Sequence, residues 1–245
     1  RMKTLIIIPS RLSATRLPGK PLLKINGLSI ISHVVKKANN ANIGKVYVAA
    51  EDQEIIDDVH NNGGQAILTS SYHKTGTDRI CEALKKIGKQ DVELVMNLQG
   101  DEPLMSVDDI RNLHNHMIKT KFEIGTLAAK INDQAIYANQ NVVKVITKES
   151  LENSEFPEAI NFMRKSPNLI RNTYHHLGIY CYRIKALENF VSLDQSHNEN
   201  KNKLEQLRAL DNNLKINVAL AKESSIGVDT KEDFVAIKKI MEYKS

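Results

Sequence analysis

The feature that most constrains this 245-residue chain is the apolar run from Leu5 to Ile8, which is broken at once by Pro9. The run has the composition of a buried strand, and proline cannot donate a hydrogen bond to a sheet ladder. Proline and glycine residues then crowd positions 18 to 21, too closely for a helix interior. The sequence therefore predicts a strand that ends in a loop. This basic loop carries Arg11, Arg16 and Lys20.

Short apolar runs alternate with amphipathic helices after this loop. Ile30, Ile31, Val34 and Val35 share one helical face behind a capping Ser29, and Asp52 is placed to cap the next helix. This alternation predicts the α/β class, with a mostly parallel central sheet and helices on both faces. We expect one domain over residues 1–245, with a smaller irregular subregion at about 132–214.

The predicted strands cover residues 3–8, 45–50, 65–69, 93–98, 124–131, 142–147, 159–163, 175–182 and 215–221. The predicted helices cover residues 29–41, 52–62, 78–87, 106–119, 184–191 and 203–210, with a last one that begins at 230. Residues 192–202 are expected to form a polar linker.

Composition limits the class of protein. Hydrophobic residues make up 41% of the chain and charged residues 26%, as in ordinary globular proteins, and no apolar run has membrane-spanning length. A secretory signal is not apparent, and Cys81 and Cys181 have no metal or redox spacing, so we expect a cytoplasmic protein. Because the net charge is only +5 and aromatic residues are 5%, a small anionic substrate is favoured over nucleic acid.

Loops that leave parallel strands meet at the carboxyl edge of a sheet, where α/β proteins bind ligands. Cations on the basic loop therefore suit a polyphosphate, although a merely solvated loop is an equal alternative on this stretch alone. The glycine spacing of a Walker loop and that of a dinucleotide fingerprint are both missing.

Two carboxylates follow predicted strands. Asp101 comes after a strand and a Gln-Gly pair, and Asp229 precedes the last helix. Together they are suited to one Mg²⁺, which is commonly held by one or two carboxylates and substrate phosphates. As alternatives, Asp101 is a turn residue and Asp229 a helix cap. The combination with the basic loop favours phosphoryl or nucleotidyl transfer.

Other polar residues leave more than one interpretation open. Thr75 to Arg79 opens a helix and is suited to meeting a base or ribose, or is simply a capped helix start. His175 and His176 are neighbours in a strand, so only one can face a site, and neither has a zinc partner at the usual spacing. Glu205 and Gln206 are predicted to lie on a helix whose leucines face the core.

Four motifs make the chain resemble the 3-deoxy-manno-octulosonate (Kdo) cytidylyltransferases, the CMP-Kdo synthetases of lipopolysaccharide biosynthesis. They are the stretch from Ile8 to Pro21, the Asn-Leu-Gln-Gly-Asp-Glu-Pro run from Asn97, the His-Leu-Gly-Ile-Tyr-Cys-Tyr-Arg run from His176, and the Leu-Glu-Gln-Leu-Arg run from Leu204. A Gly-Val-Asp-Thr motif at Gly227 closes the series. The chain departs from the family after Arg164, where its segment is shorter and lacks tryptophan.

The resemblance implies a nucleotide-diphospho-sugar transferase fold, a homodimer and dependence on Mg²⁺. It also implies a reaction of CTP with Kdo that gives CMP-Kdo and pyrophosphate, and it makes 132–214 the sugar-binding and dimerisation subregion. The implied nucleotide-binding residues are Pro9, Arg11, Lys20, Thr75, Gly76, Arg79 and Asp101, of which Arg11, Lys20 and Asp101 are catalytic. The implied metal ligands are Asp101 and Asp229. The implied sugar-binding residues are Gln99, Arg164, His176, Tyr180, Glu205 and Gln206.

Three other functions compete with this one. The nearest is a cytidylyltransferase for another keto-sugar acid, such as a sialic acid. A non-catalytic nucleotide-binding protein of the same fold is disfavoured by the presence of both carboxylates and both cations. A nucleic-acid-binding module is disfavoured by the weak charge excess.

Overall fold

The structure is a computed structural model that describes residues 3–13, 16–166 and 170–243. The chain divides into two compact units. Unit 1 comprises residues 1–110 and 225–245, and unit 2 comprises residues 111–224. The subregion expected at 132–214 falls inside unit 2. That the two units act as one domain stays a prediction.

Unit 1 is built from short strands and the helices between them. Its strands are β1 (Lys3–Ser10), β2 (Lys24–Ile25), β3 (Leu28–Ser29), β4 (Lys45–Ala50), β5 (Ala66–Leu68) and β6 (Val92–Asn97). Its helices are α1 (Ile30–Ala41), α2 (Gln53–Asn61), α3 (Gly76–Ile87) and, after unit 2, α9 (Lys231–Tyr243). Helix α4 (Val107–Lys119) begins in unit 1 and continues into unit 2.

The sheet of unit 1 is parallel, in the order β6-β1-β4-β5. Ile6, Ile7 and Ile8 of β1 have no exposed surface, as expected of a parallel strand that is covered on both faces. Successive strands are added on one side of β1 as far as β5, and β6 then pairs on its other side. The loops that follow β1 and β6 therefore separate at a topological switch point, where open α/β sheets bind ligands.

An apolar cluster of unit 1 packs α9 and the segment before it against α1. Ile25, Ile30, Val228 and Ile237 are buried together, and Phe234 of α9 packs against them. A capping box starts α9, because Asp233 N–H donates to Thr230 Oγ1 and Thr230 N–H donates to Asp233 Oδ2. This packing fixes the segment that carries Asp229.

Unit 2 contains a mixed sheet. Its strands are β7 (Ile124–Ala129), β8 (Lys144–Thr147), β9 (Ala159–Met163), β10 (Thr173–Arg183) and β11 (Ile216–Leu220). Its shorter helices are α5 (Ala135–Ala138), α6 (Ile184–Ser192), α7 (His197–Asn202) and α8 (Leu207–Asp211). Strands β11 and β7 are parallel, whereas β7, β10, β8 and β9 pair antiparallel in that order.

The α/β class and the mostly parallel sheet are confirmed, and two local predictions are wrong. Residues 192–202 are not all linker, because Ser196 and Glu199 form a reciprocal capping box that starts α7. Lys203 adopts a left-handed conformation and ends α7, so α8 begins only at Leu207. Glu205 and Gln206 therefore precede this helix instead of lying on it.

Within the described ranges, every helix is too short or too polar to cross a bilayer.

Candidate active site

A cavity of about 380 Å³ lies in unit 1 at the carboxyl ends of the strands. It is bordered by the loop after β1, the start of α3, the turn after β6 and the segment before α9. Its lining residues are Pro9, Ser10, Arg11, Ser13, Arg16, Lys20, Pro21, His73, Lys74, Thr75, Gly76, Arg79, Gln99, Gly100, Asp101 and Asp229. All the predicted nucleotide-binding residues and both predicted metal ligands are therefore in one place.

The basic loop is shaped by one glycine. Gly19 has φ +72°, a left-handed conformation that a side chain would strain. Its N–H donates to the Leu12 carbonyl at 3.1 Å, which closes the loop, and a single 3₁₀ turn over Lys20–Leu22 follows. Arg11 directly precedes Leu12, and Lys20 directly follows Gly19. The two predicted triphosphate ligands therefore lie on either side of the hydrogen bond that closes the loop.

Asp101 is held from several sides. Lys20 Nζ lies 3.2 Å from Asp101 Oδ2, and Val228 N–H donates to the Asp101 carbonyl at 2.8 Å. The Asp101 side chain keeps 31% of its surface exposed. Its pKa is nevertheless raised, because desolvation in the crevice and the charge of Asp229 oppose ionisation more than Lys20 favours it.

Asp229 has a looser environment. Its Oδ2 accepts from Arg16 Nη1 at 3.0 Å, and the two side chains are 57% and 53% exposed. Arg16 is not among the site residues that the family resemblance implies. The structure places it at the cavity, paired with a predicted metal ligand.

The neighbouring Glu102 differs from both aspartates. It is buried, and burial together with the charge of Asp101 raises its pKa to about 8. In the metal-free chain, a carboxyl group with such a pKa is mostly neutral at pH 7. Across the described part of the chain, no cluster of three or more His, Cys, Asp or Glu residues is arranged to hold a metal.

The cavity fits Mg²⁺ in two respects. Two carboxylates are enough where substrate phosphates complete an all-oxygen ligand set. The backbone at Gly227 also passes close to the Asp101 carboxylate and, having no side chain, leaves it open. A Cβ added to Gly227 would lie 3.1 Å from Asp101 Oδ1. Any larger residue at 227 would crowd the oxygen that a metal needs.

The start of α3 forms another wall of the cavity. Thr75 caps the helix by accepting from Asp78 N–H at 3.2 Å. Arg79 is buried and donates to Thr69 Oγ1 at 2.5 Å and to the Ser70 carbonyl at 3.0 Å, while Glu51 lies 3.3 Å away. Its guanidinium therefore holds the loop before α3, although it also borders the cavity.

Sequence reasoning missed His73, Lys74 and the two serines of the lining, Ser10 and Ser13. His73 Nε2 lies 2.6 Å from Glu82 Oε1, which brings this histidine to the cavity wall. Residues 70–77 form a polar stretch of the sequence, but nothing in its pattern indicates which of its side chains face inward.

The predicted sugar-binding residues lie in different units. Gln99 lines the cavity of unit 1, whereas the other five belong to unit 2. Tyr180, Glu205 and Gln206 line a narrow cleft of unit 2 together with Tyr182 and Phe190.

His176 is buried beside that cleft. Its Nε2 lies 2.9 Å from Thr126 Oγ1, and its ring contacts those of Phe162 and Tyr180 with centroids 5.0 and 5.5 Å away. Burial lowers its pKa to about 3, so the imidazole is neutral. Burial and the nearby Glu205 raise the pKa of Tyr180.

Arg164 is engaged by the backbone of unit 2. It donates from Nε to the Asn202 carbonyl at 3.0 Å, from Nη1 to Gln140 at 3.3 Å and from Nη2 to Lys203 at 2.9 Å. These bonds make Arg164 a brace in this structure. Of the shortened segment that follows it, residues 167–169 lie outside the described residues.

The cytidylyltransferase family model matches residues 5–216. A 3-deoxy-manno-octulosonate cytidylyltransferase of Afipia carboxidovorans is 41% identical over 243 residues, covering 97% of this chain and 96% of the relative. A protein of the same name from Rhodopseudomonas palustris strain BisB18 is 43% identical over 241 residues, covering 98% of both chains.

Solved structures agree with these relatives. A CMP:2-keto-3-deoxy-manno-octonic acid synthetase complexed with CTP superposes with a TM-score of 0.89 at 33% identity, over 99% of this chain and 100% of that one. The 4-diphosphocytidyl-2C-methyl-D-erythritol synthase of Anaerococcus prevotii has a TM-score of 0.66 at 16% identity over 98% and 99%, and so shows the fold alone. The chain belongs to the 3-deoxy-manno-octulosonate cytidylyltransferase family.

Proposed function

We propose that the protein transfers the cytidylyl group of CTP to 3-deoxy-D-manno-octulosonate and releases pyrophosphate. The observation that carries this proposal is the cavity at the switch point of the sheet, where cations of the basic loop face two carboxylates. Relatives of the same length and a CTP-bound structural neighbour support the same nucleotide and sugar. The product, CMP-Kdo, is an activated sugar for lipopolysaccharide biosynthesis.

The reaction is an in-line displacement at the α-phosphorus of CTP. The anomeric hydroxyl of Kdo forms the new O–P bond and loses its proton, while the bond to the bridging oxygen breaks and pyrophosphate leaves. Arg11 and Lys20 are assigned to the triphosphate, where their charges stabilise the negative charge that develops on the leaving group. Pro9, Thr75 and Gly76 border the cavity where the ribose and cytosine are assigned.

Asp101 and Asp229 are assigned to Mg²⁺. When bound, the ion supplies neutralisation of phosphate charge and acidification of the attacking hydroxyl. In the ligand-free chain Lys20 and Arg16 neutralise these two carboxylates, and both partners are cations that a phosphate can take over. The two aspartates thus keep their charges partnered both before and after substrate binds.

The sugar is assigned to Gln99 and to the unit 2 residues Arg164, His176, Tyr180, Glu205 and Gln206. Tyrosine hydroxyl, carboxylate and amide groups suit the several hydroxyls of a keto-sugar acid. Assembly as a homodimer, which the family resemblance implies, is part of the proposal. So is location in the cytoplasm, which the spacing of Cys81 and Cys181 favours.

The test is a pyrophosphate-release assay in which each of the four nucleoside triphosphates is combined with Kdo and with a sialic acid, in the presence of Mg²⁺. We expect release with CTP and Kdo to exceed every other combination. Preference for the sialic acid would overturn the proposed sugar, and CTP binding without any pyrophosphate release would overturn the enzymatic function. Omission of Mg²⁺ with a chelator is expected to abolish release.

A further inference from the structure

Asp52 occupies the cap position of α2 but does not use its side chain as a cap. Its carbonyl accepts from Ile55 N–H at 3.1 Å and from Ile56 N–H at 3.3 Å, while its carboxylate makes no capping hydrogen bond. Instead, Asp52 Oδ2 accepts from Leu12 N–H at 2.8 Å, across 40 positions of sequence. The side chain that the sequence assigns to the helix is therefore bound to the basic loop.

Leu12 is the residue at which that loop is closed. Its N–H is held by Asp52 and its carbonyl by Gly19, so both backbone groups of one residue are bonded. Arg11 is the preceding neighbour of Leu12, and Lys20 is the following neighbour of Gly19. An anchor at Leu12 consequently constrains the backbone beside both cations that are assigned to the triphosphate.

The strength and placement of this contact suit an anchor. A backbone N–H that donates to a carboxylate makes one of the stronger hydrogen bonds in proteins, and this one is partly buried. Asp52 is not among the described residues that line the cavity. Its position at the carboxyl end of β4, next to β1 in the sheet, holds it against the loop.

We propose that Asp52 is a positioning residue for the nucleotide: its carboxylate holds Leu12 and thereby presents Arg11 and Lys20 to the triphosphate. The kinetic part of this inference rests on the proposed function, whereas the anchoring itself does not. The two parts are therefore tested separately.

Limited proteolysis tests the anchor without any substrate. Trypsin cleaves the Arg11–Leu12 bond, and the N–H of this bond donates to Asp52. Cleavage requires the segment to adopt an extended conformation in the protease, so this hydrogen bond must break first. We expect Asp52→Ala to accelerate this cleavage about tenfold, the equivalent of one charged hydrogen bond, and Asp52→Asn to restore slow cleavage because its amide oxygen still accepts. Glu54→Ala, which removes an exposed acid from the same end of α2, is the matched control and is expected to cleave as the wild type does.

Kinetics test the consequence for the nucleotide. We expect Asp52→Ala to raise KM for CTP about tenfold and to leave the KM for Kdo within about threefold, with Asp52→Asn close to wild type. A fall in kcat is expected alongside, because Arg11 and Lys20 also act on the leaving group. A merely structural loss would lower the melting temperature and the active fraction without this selective change in KM.

Each result has a definite meaning. Unchanged cleavage of Asp52→Ala, or Asp52→Asn as impaired as Asp52→Ala, overturns the anchor. Faster cleavage with an unchanged KM for CTP overturns the positioning role. A wild-type protein that releases no pyrophosphate from CTP overturns the proposed function, and proteolysis still decides the anchor.

Discussion

Two ion pairs of unit 1 lie at the open cavity, where Lys20 pairs with Asp101 and Arg16 with Asp229, whereas unit 2 buries the pair of Arg208 and Glu199. Arg208 donates to both carboxylate oxygens of Glu199, at 2.9 and 2.6 Å, and the two side chains are only 4% and 6% exposed. A ligand can replace the partners in an open pair at small cost, because such pairs contribute little stability. A buried pair cannot open without leaving a charge in a dry interior.

Lys144 and Arg164 resemble the buried pair of unit 2, because their partners are parts of the fold. Both are cations of unit 2, and both donate to backbone carbonyls. Lys144 is fully buried, and burial lowers its pKa. The comparison teaches that a cation near the end of a strand is a candidate for ligand binding only when a ligand can replace its hydrogen-bond or ion-pair partners.

The largest effect is expected from breaking the buried pair. Arg208→Met keeps the volume of the side chain but leaves Glu199 charged and buried, so we expect the free energy of unfolding to fall by about 3–5 kcal/mol. Urea or thermal denaturation measures this loss. The exposed pair of Lys130 and Glu152, with 53% and 62% exposure, supplies the control Glu152→Gln, which should change stability by less than about 1 kcal/mol. Equal losses in the two variants would contradict the contrast between the pairs.

The next effect concerns the open cavity. Asp101→Asn is expected to lower turnover on the order of 10²–10³-fold with little loss of stability, because it removes charge assigned to the metal but keeps the shape. Pyrophosphate release and the melting temperature are measured together. Glu232→Gln, an exposed acid in the first turn of α9, is the control and should keep normal turnover. Near-wild-type turnover of Asp101→Asn in the presence of Mg²⁺ would contradict the assignment of Asp101 as a metal ligand.

A smaller effect is expected where unit 1 fixes a wall of its cavity. Burial acts to raise the pKa of Glu82, but hydrogen bonds from Ser70 N–H, His73 and Lys86 together lower it to about 2. Because the folded pKa lies below the ordinary value of 4.5, this contribution, up to about 3 kcal/mol, is present above pH 4.5 and is lost as the pH falls toward 2.

Glu82→Gln should therefore lose about 1 kcal/mol less stability than the wild type when the pH is lowered from about 6 to about 3.5. Urea denaturation at the two pH values provides the measurement. Glu93→Gln, at an exposed position of β6, should follow the wild type. If Glu82→Gln were as acid-sensitive as the wild type, the loop before α3 would not depend on this carboxylate.

An effect of similar size distinguishes the two roles of Arg164. If its hydrogen bonds to the Asn202 and Lys203 carbonyls brace unit 2, Arg164→Met should lower the free energy of unfolding by about 1–2 kcal/mol. The exposed Arg171 is the matched control, and Arg171→Met should have an effect within about 0.5 kcal/mol. Unchanged stability with a selective rise in KM for Kdo would reverse this interpretation and make Arg164 a sugar ligand first.

Local sequence patterns predicted much of unit 1. Residues 45–50 were predicted as a strand and form β4 with the same bounds, and Ser29 caps α1 through a hydrogen bond from Ser32 N–H. These features depend on neighbours in sequence, namely apolar periodicity and capping, which a local pattern contains. Unit 2 was less predictable, because the left-handed Lys203 that separates α7 from α8 depends on packing and not on glycine or asparagine.

The sequence by itself determined that a basic loop leaves a buried strand and that Asp101 and Asp229 sit where chain segments end, because strand composition, proline and capping act over a few residues. Only the tertiary structure decided which groups these residues meet. Asp52 turns from α2 to Leu12, and Arg16 reaches Asp229 across 213 positions. The physical reason is that a hydrogen bond or an ion pair depends on distance in space, and partners so remote in sequence are set by the packing of the whole unit.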